Sequence, residues 1–256
     1  MTIKNIRYVA AVMLPLHLGV IAMPFLTTVS WLHLFYFVLG YVFLHGLGVN
    51  VGLHRWAAHR AIELNTVAKP VVVICSILTA QGHPLWWAAV HRGSHHRYSD
   101  QERDEHSPRH GFWTAFVGWI FNHDPTKVNY KAAVDLMRDP MITKSVPYYE
   151  AMIWTTWILM GLTNYHMLLW MLILPAFAAL HTEGLVNSLC HSDFGYRNHE
   201  TKDRSRNIPI LGLLGWGNGW HNNHHYRAAD YDFGGERWYE YDPCRLFIPF
   251  IKRNAD

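Results

Sequence analysis

Three groups of histidines carry the chemistry of this sequence: His54/His59, His91/His95/His96 and His221/His224/His225. In the last, which reads His-Asn-Asn-His-His, the i, i+3, i+4 spacing puts all three imidazoles on one face of a helix. The glycine-rich run from Gly215 to Trp220 lets the backbone turn sharply into that helix. A ninth candidate, His191, has Asn187 one helical turn before it. A lone histidine is ordinarily a surface or hydrogen-bonded residue, which accounts for the other ten, His17, His33, His45, His181 and His199 among them. Nine imidazoles exceed the four ligands of a tetrahedral zinc site and suit two metal ions with four or five nitrogens each. Imidazole serves iron, zinc and copper, so ligand type alone does not choose the metal. A haem protein would pair axial histidines across spans, and a metal transporter would need ionisable groups in mid-membrane. Two irons sharing an oxygen-derived bridge would supply an oxidant strong enough for an unactivated C–H bond.

The elements that must position these groups are membrane helices. The chain of 256 residues is 50% hydrophobic and 16% charged, against about 25% charged in ordinary globular domains. No Asp, Glu, Lys or Arg occurs from Tyr8 to His54 or from Ala151 to Thr182. A bilayer core takes roughly 20 apolar residues per helix, so each stretch holds two spans. The expectation is an all-α membrane protein of one domain over 1–256. Four transmembrane helices, about 8–28, 31–53, 146–163 and 166–186, form two hairpins. A cytoplasmic helical cap, 54–145 and 187–256, carries a histidine-rich di-metal site. Lys4 and Arg7 before an apolar run imitate a signal peptide, but the uncharged stretch far exceeds a signal core. Gly46, Gly48 and Gly52 read as close helix packing. Arg55 and Arg60 mark a cytoplasmic exit, and the basic residues of the long segments place both termini on that side. Pro70–His91 is uncharged but interrupted by Gln81-Gly82-His83-Pro84. If it crossed, the first histidine group would face the side opposite the others, so it reads as a re-entrant or interfacial helix. Three dispersed cysteines exclude a disulfide framework, an iron–sulfur site and a thiolate zinc site. A net charge of +3 does not point to nucleic acid.

From about Gly48 to Ile248 the sequence resembles the integral-membrane fatty acyl desaturases, near their acyl-CoA branch. The likeness rests on HRWAAHR at 54–60, HRGSHHRYSD at 91–100, LVNSLCH at 185–191, GYR at 195–197, DRSRN at 203–207, GNGWHNNHH at 217–225 and RWYEYDPCRLFI at 237–248. The resemblance implies oxygen-dependent insertion of a cis double bond into a saturated acyl chain at a di-iron centre. All nine histidines would be ligands, with Asn187 completing the shell directly or through water. The acyl chain would arrive as a thioester or linked to a lipid, in a narrow apolar tunnel. Arg55, Arg92, Arg97, Arg197 and Arg206 would meet its acidic head group or simply form a solvated face. With no nicotinamide, flavin, haem or cysteine-cluster signature, electrons would come from a separate ferredoxin, rubredoxin or small b-type cytochrome with its reductase. A hydroxylase or ketolase of the same superfamily, and a non-catalytic metal-binding protein, are the competing readings.

Three departures from the pattern bear on substrate. The branch usually carries a carboxylate where Asn218 stands, and Thr-Trp where Glu183-Gly184 stand. On a helix, Glu183 shares the stripe of Asn187 and His191. It either points into a polar crevice or pairs with His181 or an arginine, or it is a polar feature in the tunnel or a nearby proton carrier. The second group also has three residues, not two, between its first histidine and the pair. A regular α-helix would then turn His96 about 140° from His91. A π-bulge, or a break, between His91 and His95 is therefore expected, with Gly93 easing it.

Overall fold

The computed structural model describes residues 4–253. Among the described residues the chain is helical, with no strand beyond isolated bridges such as Tyr196–Asn207. Three helical stretches are long and apolar enough to cross a bilayer: α1 (Ile6–Leu26), α2 (Trp31–Ala58) and a 50-residue run, Pro140–Leu189. Ser30 separates the first two as an N-cap, its hydroxyl accepting from the His33 amide. The third run would extend about 75 Å if straight, but Asn164 leaves the helical region (φ −158°, ψ 91°) and its side chain accepts from the Met167 amide. The chain doubles back there, and the segment after the break packs on both the one before it and α2. Leu18, Ile21, Phe35, Val38, Leu159 and Leu162 stay exposed on these helices, as an apolar solvent allows.

The segment Pro70–His91, expected as a re-entrant or interfacial helix interrupted at Gln81-Gly82-His83-Pro84, is two helices parted at that interruption. α3 (Ala68–Leu78) is only 11 residues, about 16 Å. α4 begins at Pro84 and continues to Tyr98. Between them Ala80 and Gly82 take positive φ, and the Gly82 amide donates to the Tyr149 hydroxyl at 2.8 Å. A side chain at Gly82 would strike the Trp86 ring. α3 lies against α2 where Gly48 leaves no room for a Cβ beside the Cys75 carbonyl, and Ser76 donates to the Gly48 carbonyl at 3.0 Å. The glycines of α2 thus serve close packing, as their spacing predicts.

α2 runs unbroken past the expected end at 53 and carries His54 within it. A short helix at 112–122 packs beside the end of the long run, α5 (Tyr149–Leu189 after its first turns). The chain then forms α6 (Pro209–Leu214) and α7 (His221–Tyr226). The tail from Arg227 wraps back over α2. There Asp242 meets the buried Arg55 guanidinium at 2.5 Å, and Phe233 covers it at 3.8 Å.

Candidate metal centre

The first two histidine groups owe their shape to the same backbone device. His54 and His59 are five residues apart, a spacing that an α-helix splays by about 140°. The turn there is wide: the His59 amide donates to the His54 carbonyl at 2.9 Å, an i→i+5 bond. α4 does the same. Its backbone is π-helical over His91–His95, and the His96 amide donates to the His91 carbonyl. One extra residue per turn brings His96 back over His91, as the three-residue spacing requires. The bulge in the second group was legible in the sequence, and the one in the first was missed although the same arithmetic finds it. α7 is an ordinary α-helical turn.

The nine side chains converge into two sets. His54, His59, His91, His96 and His224 form one, and His95, His191, His221 and His225 the other, the candidate ligand atoms of each lying within 4.8 Å of one another. Facing Nε2 atoms stand 2.9 Å apart for His59–His91 and His191–His221, 3.1 Å for His221–His225 and 3.2 Å for His96–His224. Two nitrogens bound at right angles about 2.1 Å from one ion are about 3.0 Å apart. The Nε2 atoms of His54 and His95 are buried with no partner among the described residues, a costly state unless something else binds them. Both sets therefore fit a metal ion apiece.

What holds the rings differs between the sets. In the four-histidine set, Nδ1 of His95 faces Asp104 (3.1 Å), that of His191 Asp100 (2.9 Å) and that of His225 Asp203 (2.8 Å). The His221 Nδ1 donates to the Asn218 carbonyl at 3.0 Å. Such partners fix the tautomer and leave Nε2 bare for a metal. Burial alone would raise the Asp104 carboxyl, yet His106 and His95 hold it well below the usual range, and His225 does the same for Asp203. Burial pushes the His225 imidazole down to about 4 against the pull of Asp203, and His59, buried beside other imidazoles, down to about 3. Both are neutral, hence able to ligate, at neutral pH. The five-histidine set has no carboxylate on a ring. His54 Nδ1 faces the Asn218 amide oxygen at 2.8 Å, Trp87 stacks on His91, and Phe233 packs on His224.

The asparagines between the histidines of α7 anchor it from behind. Asn223 donates to Glu240 and to the Phe233 carbonyl, and the amides of Asn222 and Asn223 both donate to Asn207. These residues and the three aspartates had no assigned role in the sequence, although Asp100 and Asp203 lie inside the recognised motifs. His106 is buried beside Asp104.

An apolar cavity reaches both sets. Its wall includes His54 and His91 of one, His95 and His221 of the other, and Trp87, Phe116, Trp119 and Leu180. Asn187 and Glu183 also line it. Glu183 pairs neither with His181, which faces His17, nor with an arginine; it accepts from His45 at 2.7 Å and from Asn218. Gly184 faces Phe116: a Cβ there would stand against the Phe116 carbonyl and ring. Of the five arginines, Arg55 is sealed in its pair with Asp242. Arg92 ties α4 to the end of α2 through the Ala57 and Ala58 carbonyls and Asp135. Arg197 holds Thr201 and the Asp203 carbonyl, and Arg206 the Ser192 carbonyl. These four are engaged inside the fold, which removes Arg55 and Arg92 from any head-group contact. Arg97 alone of the five is exposed.

Fold and site together define a membrane protein with an apolar cavity ending at a two-compartment histidine cage. The family model for fatty acid desaturases matches residues 28–247, and the chain belongs to that family. It is 32% identical to an sn-1 stearoyl-lipid 9-desaturase of Anabaena variabilis over 93% of this chain and 88% of the relative. It is equally identical to the enzyme of that name from Synechocystis, over 87% and 70%. Identity to Delta-9 acyl-lipid desaturase 2 of Arabidopsis thaliana is also 32%, over 90% and 74%. These relatives are named for lipid-linked acyl chains, whereas the motifs alone resembled the acyl-CoA branch.

Proposed function

We propose that the chain inserts a cis double bond into a saturated, lipid-linked acyl chain, consuming O2, two electrons and two protons and releasing two waters. The observation that carries this reading is the apolar cavity ending at both histidine sets. Two irons held there would supply, with O2, the oxidising power to remove hydrogen from an unactivated methylene. His54, His59, His91, His96 and His224 would hold one ion. His95, His191, His221 and His225 would hold the other, with Asn187 beside them on the cavity wall. The cavity wall desolvates the chain and presents two adjacent carbons to the cage. The three aspartates keep Nε2 of their partners unprotonated. A separate redox protein delivers the electrons.

The convergence of the imidazoles supports one topology. Four spans, with the break at Asn164 as the second hairpin, put α2's end and α5's end on one side, and α3 is too short to cross. The basic residues at the exit of α2, Arg55 and Arg60, support assigning that side, with both termini and the site, to the cytoplasm. Cysteine labels near Lys69 and Arg103 react from the same side under this reading, and labelling from opposite sides overturns it.

The test of function is expression in a host lacking the activity, with fatty acids from separated lipid classes and the acyl-CoA pool analysed by gas chromatography and double bonds mapped. New monoenes appearing first in intact lipid, and absent with a His225→Ala variant, support the proposal. Hydroxylated or keto products instead would assign the chain to the hydroxylase reading.

A further inference from the structure

We propose that Glu183 is a positioning residue for the five-histidine set, acting on His54 through Asn218. The inference rests on the metal-binding reading above. His54 is the ring of that set with a side-chain hydrogen bond on Nδ1, and its partner is a neutral amide rather than a carboxylate. An amide is ambiguous: turned one way it offers oxygen, turned the other it offers N–H. Glu183 removes the ambiguity. Its two oxygens lie 3.1 and 2.9 Å from the Asn218 Nδ2, and a carboxylate accepts only. Nδ2 must therefore face Glu183, Oδ1 must face His54, and the His54 proton must sit on Nδ1. The His54 Nε2 is left as a bare, buried lone pair with no partner among the described residues. His45, fully buried on α2, donates to Glu183 at 2.7 Å and fixes the carboxylate in turn.

The two departures from the family pattern thus form one compensating unit. The carboxylate ordinarily found at position 218 has moved one hydrogen bond outward, to 183, and an amide fills the gap. A carboxylate at both positions would set two anions about 3 Å apart; one at neither would leave the His54 tautomer unfixed.

The test is Fe2+ binding to purified, detergent-solubilised full-length apoprotein, by competition with a chelator of known affinity. The wild type takes two ions. Glu183→Gln frees the amide pair to reverse, and Asn218→Glu creates the anion pair. Each should weaken one ion by roughly 10–100-fold and leave the other unchanged. The double variant Glu183→Thr/Asn218→Glu returns the carboxylate to the ring and should recover binding to within about threefold. An unaffected Glu183→Gln, or a double variant as weak as the two losses multiplied, overturns the relay. A wild type that takes no Fe2+ overturns the metal reading beneath it, and is told apart from relay failure because no variant then matters. Equal thermal stability of the single variants and wild type separates positioning from misfolding.

Discussion

Asp203→Asn isolates the role of a carboxylate behind a metal-facing ring. The Asp203 Oδ1 accepts from the Ser205 amide at 3.0 Å and the Thr201 hydroxyl at 2.7 Å, while Oδ2 takes the His225 Nδ1 proton at 2.8 Å. In the variant, the amide oxygen keeps the two donors and NH2 points at His225. The ring must then accept at Nδ1 and carry its proton on Nε2, the atom 3.1 Å from the His221 Nε2, where it cannot bind a metal. Reversing the amide instead aims NH2 at the Ser205 N–H, leaving a buried donor unmet at about 1–3 kcal/mol. The cheaper route sets the loss, which matches the 10–100-fold typical of such outer partners, about 1.4–2.8 kcal/mol. Chelator competition should show one Fe2+ ion weakened by that factor and the other unchanged. An Asp203→Asn protein holding both ions as the wild type does would refute the tautomer argument.

Deleting Ser94 shortens the second group to two intervening residues and converts the wide turn at His91–His95 to an α-helical one, so the protein should still take two ions and keep product formation; loss of both would show that the bulge is required. Phe116→Ala should enlarge the cavity beside Gly184 and shift the chain-length or positional profile of the products, whereas Gly184→Trp should fail to accumulate because the Phe116 carbonyl occupies its Cβ space. Metal-free protein should lose thermal stability on acidification. His225 sits near 4 when folded against about 6.5 unfolded, so the unfolded chain binds protons the fold refuses from about pH 6.5 down to 4. A melting temperature flat across that window would contradict its neutral burial.

The nine imidazoles were legible because eight of them recur in three close groups and the ninth, His191, follows Asn187 by one turn. The long apolar helices were legible because uncharged stretches are long. The break of Pro70–His91 into two helices falls at the interruption visible in the sequence, Gln81-Gly82-His83-Pro84, whereas the positive φ of Ala80 leaves little trace there. The ring partners were illegible for a different reason. Asp104 lies 9 residues from His95, Asp203 22 from His225 and Asp100 91 from His191, so no local period links them. His45 looked like a stray histidine in an apolar span because its partner, Glu183, is 138 residues away.

α7 sends His221 and His225 into one compartment and His224 into the other, and α4 divides His95 from His91 and His96 in the same way. Neither compartment can be ordered alone, since each short backbone serves both. Whatever loosens α7 from Asn207 and Glu240 should therefore weaken both compartments together, whereas a change behind a single ring weakens one.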